Sequence, residues 1–472
     1  MVNAQRRALH LAGGSVRGRG AAVRALALAL LLVSARGRSA AAQSLSLDAI
    51  PARAVARAGA GLLSDDLGGA WAHNPAAASR RTQPRVLLGV TLVDTDLELS
   101  PFTSEPAPHM VSRAGVGRAP VAAASISWGR TTFGLTVLSA QRVARRFEGP
   151  PPSVDLADVQ RAFSMRYAGL SGALRREMVL GGVSRRFSDQ LALGVSAGAA
   201  RVSMRESRHV WAGVVPRDEV GDPRHDLELV VSGVDPVVPM ASAGLVYVPD
   251  EGAVELGLGV SYVGPTTLSG SITPSPTDVN SPVVTGDPSA VIELPHTMVL
   301  RSGVRWQGER WSAEGSGQLE LWPARARALT WQMSGVSVVD ASNLSVRYPE
   351  LPSQLSLRST ASLRGAVDVE VVEGLLWLVA GAAWAPLGTS VPRLSPGFGE
   401  SGGVTLAAGA EVSAGGVTIS LGLSRLWAPP RSVRQSLRGL DGPFPGGDAG
   451  TGFARYQPAT DLVGFAVEVE QL

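Results

Sequence analysis

From Val254 to Tyr262 every second residue is apolar: Val254, Leu256, Leu258, Val260 and Tyr262 alternate with Glu255, Gly257, Gly259 and Ser261. The same period of two runs through Val417, Ile419, Leu421 and Leu423, and through a longer stretch from Leu355 to Val371. Successive side chains of an extended strand point to opposite faces, so this period specifies two-faced β-strands and excludes an amphipathic helix. Charged residues keep to the other phase. Arg358, Arg364, Asp368 and Glu370 oppose Leu357, Leu363, Val367 and Val369, and Arg301 and Arg305 oppose Leu300 and Val304.

A soluble sandwich also produces alternation. Strand length and spacing argue for a membrane barrel: the strands approach the roughly nine to eleven residues that a tilted strand needs to cross a bilayer. Short turns are expected near Gly129-Arg130, Ser188-Asp189, Pro249 to Glu251, Gly308-Glu309, Val372-Glu373 and Ala414-Gly415. Long loops are expected near 98–117, 145–160, 207–237, 271–289, 323–354, 387–401 and 428–459. This arrangement describes an all-β fold, a transmembrane antiparallel β-barrel of about 14 strands with short turns at one end and long loops at the other. The charged faces then belong in the lumen, because lipid penalises them. The uncharged run from Gly374 to Pro392 is broken by Gly381 and Pro386 and reads as strand rather than as a membrane helix.

The N-terminus reads as a secretory leader over 1–42. A basic region is followed by the apolar run "ALALALLLVS" (25–34), then an Ala-rich cleavage site at 40–42. Its seven arginines exceed the whole formal charge of +3, leaving −4 on the remainder, so the high isoelectric point gives no case for nucleic-acid binding. The chain has no Cys and no Lys, which excludes disulfides, thiolate chemistry, Walker-type phosphate binding and Schiff bases. No metal-binding His spacing or G-x-S-x-G is present, and neither an enzyme nor a cofactor or metal site is expected. The Gly-rich "GLDGPFPGGDAGTG" (439–452) reads as a loop.

Between leader and first strand, residues 43–83 lack strand periodicity. Ser64 stands where it can cap a turn starting with Asp65 and Asp66, and Asn74 stands as an N-cap before Pro75. A segment this short cannot form its own core and makes sense as a helical hatch inside a barrel spanning 84–472. "ARAGAGLLSDDLGGAWAHNPAAASR" resembles the N-terminal hatch of the FadL-like outer-membrane transporters, with an acidic pair followed by Asn-Pro-Ala. "MVLGGVSRRFSDQLALGVSAGAARV", "ASAGLVYVPDEGAVELGLGVSYVGPTTLSG" and "IELPHTMVLRSGVRW" are similar to strands and hairpins of the same family, so the resemblance extends over most of 55–430.

That resemblance implies a monomeric 14-stranded barrel in the Gram-negative outer membrane. A hatch blocks its lumen, and hydrophobic molecules, typically long-chain fatty acids, cross by diffusion with hatch or lateral gating. Asn74, Pro75 and Ala76 match the hatch motif. Val210, Trp211, Val214 and Val215 are candidates for an exposed apolar binding loop, and Arg301 and Arg305 for contact with a carboxylate or for a lumenal ionic network. The expected partners are a fatty-acid-like molecule and outer-membrane lipid. A barrel with a structural or secretion-associated role, and a soluble secreted sandwich, remain as alternatives.

Overall fold

The computed structural model describes residues 50–64, 66–101, 110–113, 116–146, 165–211, 226–249, 253–276, 283–339, 345–347, 349–389, 391, 394–395, 397–398, 402–433 and 454–470. The leader, Val214, Val215 and the Gly-rich 439–452 stretch lie outside these residues.

Fourteen antiparallel strands close into a barrel. They are β1 (Arg85–Pro101), β2 (Met110–Arg113 and Gly117–Trp128), β3 (Thr131–Arg146), β4 (Ser171–Arg186), β5 (Leu191–Trp211), β6 (Asp226–Tyr247) and β7 (Val254–Val263 and Thr266–Pro276). There follow β8 (Ser289–Leu294 and Thr297–Gln307), β9 (Trp311–Leu321 and Thr330–Ser334), β10 (Glu350–Pro352 and Thr360–Val372), β11 (Leu376–Ala385), β12 (Gly403–Ala414), β13 (Val417–Trp427) and β14 (Ala454–Glu470). Each pairs with the next, and β14 returns to β1 from Arg85↔Glu470 to Pro101↔Ala454. Closure pairs the first strand with the last, so the sheet has no terminal edge. The expected short turns all join neighbouring strands, and Gly129, Gly374, Gly415 and Gly416 supply the positive φ that tight turns need.

The alternation resolves into lipid and lumen faces. Leu256, Leu258, Ile419, Leu421 and Leu423 are exposed outward, while Glu255, Ser261, Ser420 and Ser424 are buried inward. Aromatics are few but well placed. Trp128, Phe187, Tyr247 and Trp311 are exposed at the short-turn end, and Trp384, Trp427 and Tyr262 form a second outward row. From Val417 to Trp427, at about 3.3 Å per residue and a tilt of about 40°, the band between the rows is about 25 Å tall.

Some boundaries differ from the alternation. The run from Leu355 to Val371 is strand only from Thr360; Leu355 and Leu357 are buried because the chain turns inward before it. The expected loop at 207–237 is shorter, since β5 continues to Trp211 and β6 begins at Asp226. The run at 374–392 contains β11, not a helix.

Among the described residues, the wall is breached in two places. β2 and β3 pair only from Trp128↔Thr131 to Val121↔Leu138. Beyond that, β2 stays with β1, and β3 shifts register between Ser139 and Gln141 and stays with β4. This seam opens inside the apolar band. The second breach is a crease across β6 to β10. Ladder bonds are interrupted between Val234 and Met240, at Gly264-Pro265, at Pro295-His296, at 322–329 and at 353–359. The register places these breaks side by side, just beyond the upper aromatic row. Proline lacks the N–H a ladder uses, and side chains replace some lost partners: Thr267 N donates to Asp235 Oδ2 at 2.8 Å and Trp322 N to Ser359 Oγ at 3.0 Å.

Candidate functional site

The lumen is filled at two levels. The lower filling is the N-terminal segment, with α1 (Ala52–Ala56), α2 (Leu67–His73) and a 3₁₀ turn (Pro75–Arg80). α1 lies against β12, β13 and β14, and the 3₁₀ turn against β4, β5 and β6, so the segment bridges opposite walls. Short helices leave their last carbonyls unpaired, and wall hydroxyls supply the donors. Ser196 Oγ donates to Trp71 O (2.6 Å), Ser242 and Ser261 Oγ both to Ala72 O (3.0 and 2.7 Å), and Ser184 Oγ to Ala76 O (3.2 Å).

Charge fixes the other side. Arg57 is buried and donates from Nη1 to Asp368 Oδ2 (2.8 Å) and from Nη2 to Glu314 Oε2 (2.7 Å). Arg364 Nη1 donates to Gly59 O (3.2 Å) and Arg305 Nη1 to Leu63 O (3.3 Å). The shared guanidinium, with Leu63 N donating to Glu314 Oε1 (3.2 Å) and Ser312 Oγ to Asp368 Oδ2 (2.8 Å), makes the burial of these carboxylates tolerable. Toward the short-turn end a polar cavity of about 360 Å³ remains, lined by Arg53, Asp66, Arg80, Arg85, Glu411 and Glu468 among others. Burial pushes the Asp66 carboxyl up to about 7, with Arg53 opposing that rise and Glu468 and Glu411 adding to it.

Asn74, Pro75 and Ala76 are all buried against the wall. Pro75 opens the 3₁₀ turn as expected, but the Asn74 side chain caps nothing. Its Nδ2 donates to Leu62 O (3.0 Å) and Leu245 O (3.4 Å), tying the segment to itself and to β6. The side-chain cap of α2 is Asp66, which accepts from Gly68 N at 3.2 Å, whereas Ser64 Oγ donates to Gly61 O. The fit needs glycine in the wall. A Cβ at Gly244 would stand 1.9 Å from Asn74 Oδ1, and one at Gly134 2.3 Å from the Trp71 ring. Inward glycines on strands were the sequence signal for this contact; period-two reading assigned them only to the polar face.

The upper filling is made by the wall itself. At the crease the chain of β9 forms a 3₁₀ turn (Ala324–Arg327), and 353–358 of β10 folds inward. Leu355, Leu357, Ala326, Leu329, Trp331 and Phe398 bury there with Leu174, Met204, Leu227 and Leu229 of β4 to β6. Val210 belongs to this apolar cluster, buried on β5 rather than exposed on a loop. Trp211 ends β5, paired with Asp226. Above it Asp226 accepts from Arg166, from Tyr167 OH (2.6 Å) and pairs with His209 Nδ1 (3.1 Å). Desolvation, then the Asp226 charge, drives the Tyr167 hydroxyl far above its ordinary range.

Arg301 and Arg305 both turn inward and belong to a lumenal network: Arg301 donates to Gln318 Oε1 and Ser261 Oγ (both 3.0 Å), and Arg305 Nη2 to Ser312 Oγ (3.1 Å). Period-two reasoning missed two other arginines. Arg176 on β4 and Arg208 on β5 are buried on lumenal faces, each with a buried Nε that meets no hydrogen-bond partner. Arg176 shares its face with Leu174, Met178 and Leu180 and stands opposite Val202. Among the described residues, no cluster of His, Asp and Glu able to hold a metal occurs.

This closed 14-strand barrel aligns along nearly its whole length with solved structures. One is a Pseudomonas aeruginosa FadL homologue (TM-score 0.66, 15% identity, 92% of this chain and 100% of that one). The fold is that of the FadL-like barrels. The Pseudomonas putida toluene transporter TodX (TM-score 0.62, 14% identity, 90% and 99% covered) and the Ralstonia pickettii toluene transporter TbuX (0.60, 15%, 90% and 99%) share it. No protein-family model matches the chain, and no characterised protein matches it by sequence. At this identity the FadL-like likeness establishes architecture, and function has to come from the lumen itself.

Proposed function

We propose that this chain is an outer-membrane channel for passive passage of hydrophobic molecules, and that its substrates are amphiphiles with an anionic head, long-chain fatty acids in particular. The observation that carries the head-group preference is Arg176. A guanidinium buried among Leu174, Met178 and Leu180 with an unsatisfied Nε is costly. Glu320 is the acid whose charge acts on it. A carboxylate arriving on an apolar chain would supply the missing charge-assisted hydrogen bond while its tail takes the hydrocarbon wall. Residues 50–81 act as the plug that stops polar solutes, and the seam between β2 and β3, open within the apolar band, is the route by which an apolar molecule leaves sideways into lipid. The reading includes a cleaved leader and a monomeric barrel, and no catalytic step.

The alternative cargo is an uncharged aromatic hydrocarbon, the class named for TodX and TbuX. Titrating purified protein with oleate and with toluene, before and after Arg176→Leu, separates the two. The expected result is oleate binding weakened about tenfold, the loss of one charge-assisted contact, with toluene unaffected. Toluene binding without oleate binding overturns the anionic preference; binding of neither overturns the transport reading.

A further inference from the structure

The upper filling differs from a plug in origin: it is the wall of β10 folded into the lumen. Ser353 to Leu357 crosses to the opposite wall and is secured there around one residue. Gln354 N donates to Glu206 Oε2 (2.7 Å), and Gln354 Nε2 donates to Ser207 O (2.8 Å) and Ser171 O (3.3 Å). Glu206 also accepts from Trp331 Nε1, so one buried carboxylate holds both the strap and its neighbour on β9. The seat is shaped for this side chain. A Cβ on Gly169, where φ is +152°, would lie 1.9 Å from Gln354 Oε1, and one on Gly397 2.4 Å from it.

Behind the strap, the wall carries the crease. The strap bonds to the 3₁₀ turn of β9 through Ser353 N to Leu329 O (2.8 Å) and Leu357 N to Ala326 O (2.9 Å), so the two inward pieces form one unit. Both are bounded by the rows where ladder bonds are missing. Those rows lie beyond the upper aromatic row, where swinging the wall exposes no backbone to hydrocarbon.

We propose that 353–357, moving with 324–329, is an extracellular gate hinged on the proline crease and latched by Gln354 on Glu206 and Ser207. The latch consists of a few hydrogen bonds, whereas β6 to β10 stay paired below the crease. Opening is then a local event that leaves the membrane band intact. The lumen has two closures in series, and the upper one must yield before anything reaches Arg176 or the lower segment. This inference does not depend on what the cargo is.

The absence of cysteine allows a clean test in the full-length protein. Leu174→Cys places a single thiol beneath the latch, and Ser196→Cys places one deeper, against the lower segment. A membrane-impermeant maleimide is added to cells displaying each protein, with and without Gln354→Ala and, separately, Glu206→Ala. Heat-dependent gel mobility confirms a folded barrel in every case. The expected result is labelling at position 174 accelerated at least about tenfold by either latch variant, as follows from losing one or two hydrogen bonds from a local opening equilibrium, with position 196 unchanged. No acceleration at 174 overturns the gate. Equal acceleration at both positions, or loss of the folded barrel, overturns it too, because the strap is then part of the static core.

Discussion

Residues 50–64 and 353–358 both occupy the lumen, yet they meet the wall through different chemistry. The first meets it mainly through charge: Arg57 is shared by Glu314 and Asp368, and Arg305 and Arg364 donate to its backbone. The second is held mainly through hydrocarbon, with Leu355 and Leu357 sunk in the cluster of Trp331, Met204 and Leu229, a polar latch at Gln354, and Arg358 at its end donating to Leu387 O and Gly388 O. The lower contact is specific and intolerant, since removing one member strands buried charge. The upper one is adaptable, since apolar surfaces can part and re-form against a different apolar occupant. This division suits the proposed roles, a lower barrier that stays shut to ions and an upper one that yields to a hydrophobic molecule.

The comparison is broken most readily at Arg57. Arg57→Ala leaves Glu314 and Asp368 buried without their shared cation, and we expect about 3–5 kcal/mol of destabilisation of the docked segment. Planar-bilayer conductance, together with trypsin cleavage at Arg53 or Arg80, should rise sharply. An unchanged barrier would show that hydroxyl and glycine contacts alone hold the segment. Leu355→Ala probes the upper region. It should cost about 2–4 kcal/mol through the cavity it leaves, read by urea unfolding in micelles. The cost should be insensitive to salt, whereas loosening of the lower segment should respond to it. Equal salt sensitivity at both levels would erase the distinction.

The third test turns on pH and concerns Asp66. Its folded value of about 7 stands above the ordinary 3.8. Docking stability is therefore fully present below about 4, declines as the pH rises from there to about 7, and levels off above. Asp66→Asn, neutral and still able to cap α2, should flatten that decline and leave the segment more protease-resistant than wild type at pH 8. A decline that survives the substitution would show that Asp66 is not its source.

Much of this fold is written in short windows. Val254 to Tyr262 and Val417 to Leu423 show their faces without reference to any neighbour, and the short turns are marked by Gly, Asp and Glu between alternating runs. Asn-Pro-Ala at 74–76 marks the segment that fills the lumen. What it does there was less legible: an Asn before Pro looks like a cap, and only the approach of Leu62 and Leu245 shows that the amide is a cross-tie.

The sequence by itself determined the alternation, the strand count, the polarity of the two faces and the alternation of short and long connections. These follow from backbone geometry, which acts over two residues at a time. Only the tertiary structure decided where the wall opens and what fills it. Leu355 and Leu357 carry the same alternating pattern as Leu363 and Val367, yet the former turn inward and the latter face outward. The difference arises because Pro239, Pro265, Pro295 and Pro323 lie on separate strands and align into one crease only once the register is set. Likewise Val210 joins a cluster that also holds Trp331 and Leu355, and the acid whose charge acts on Arg176 is Glu320; no local pattern encodes either.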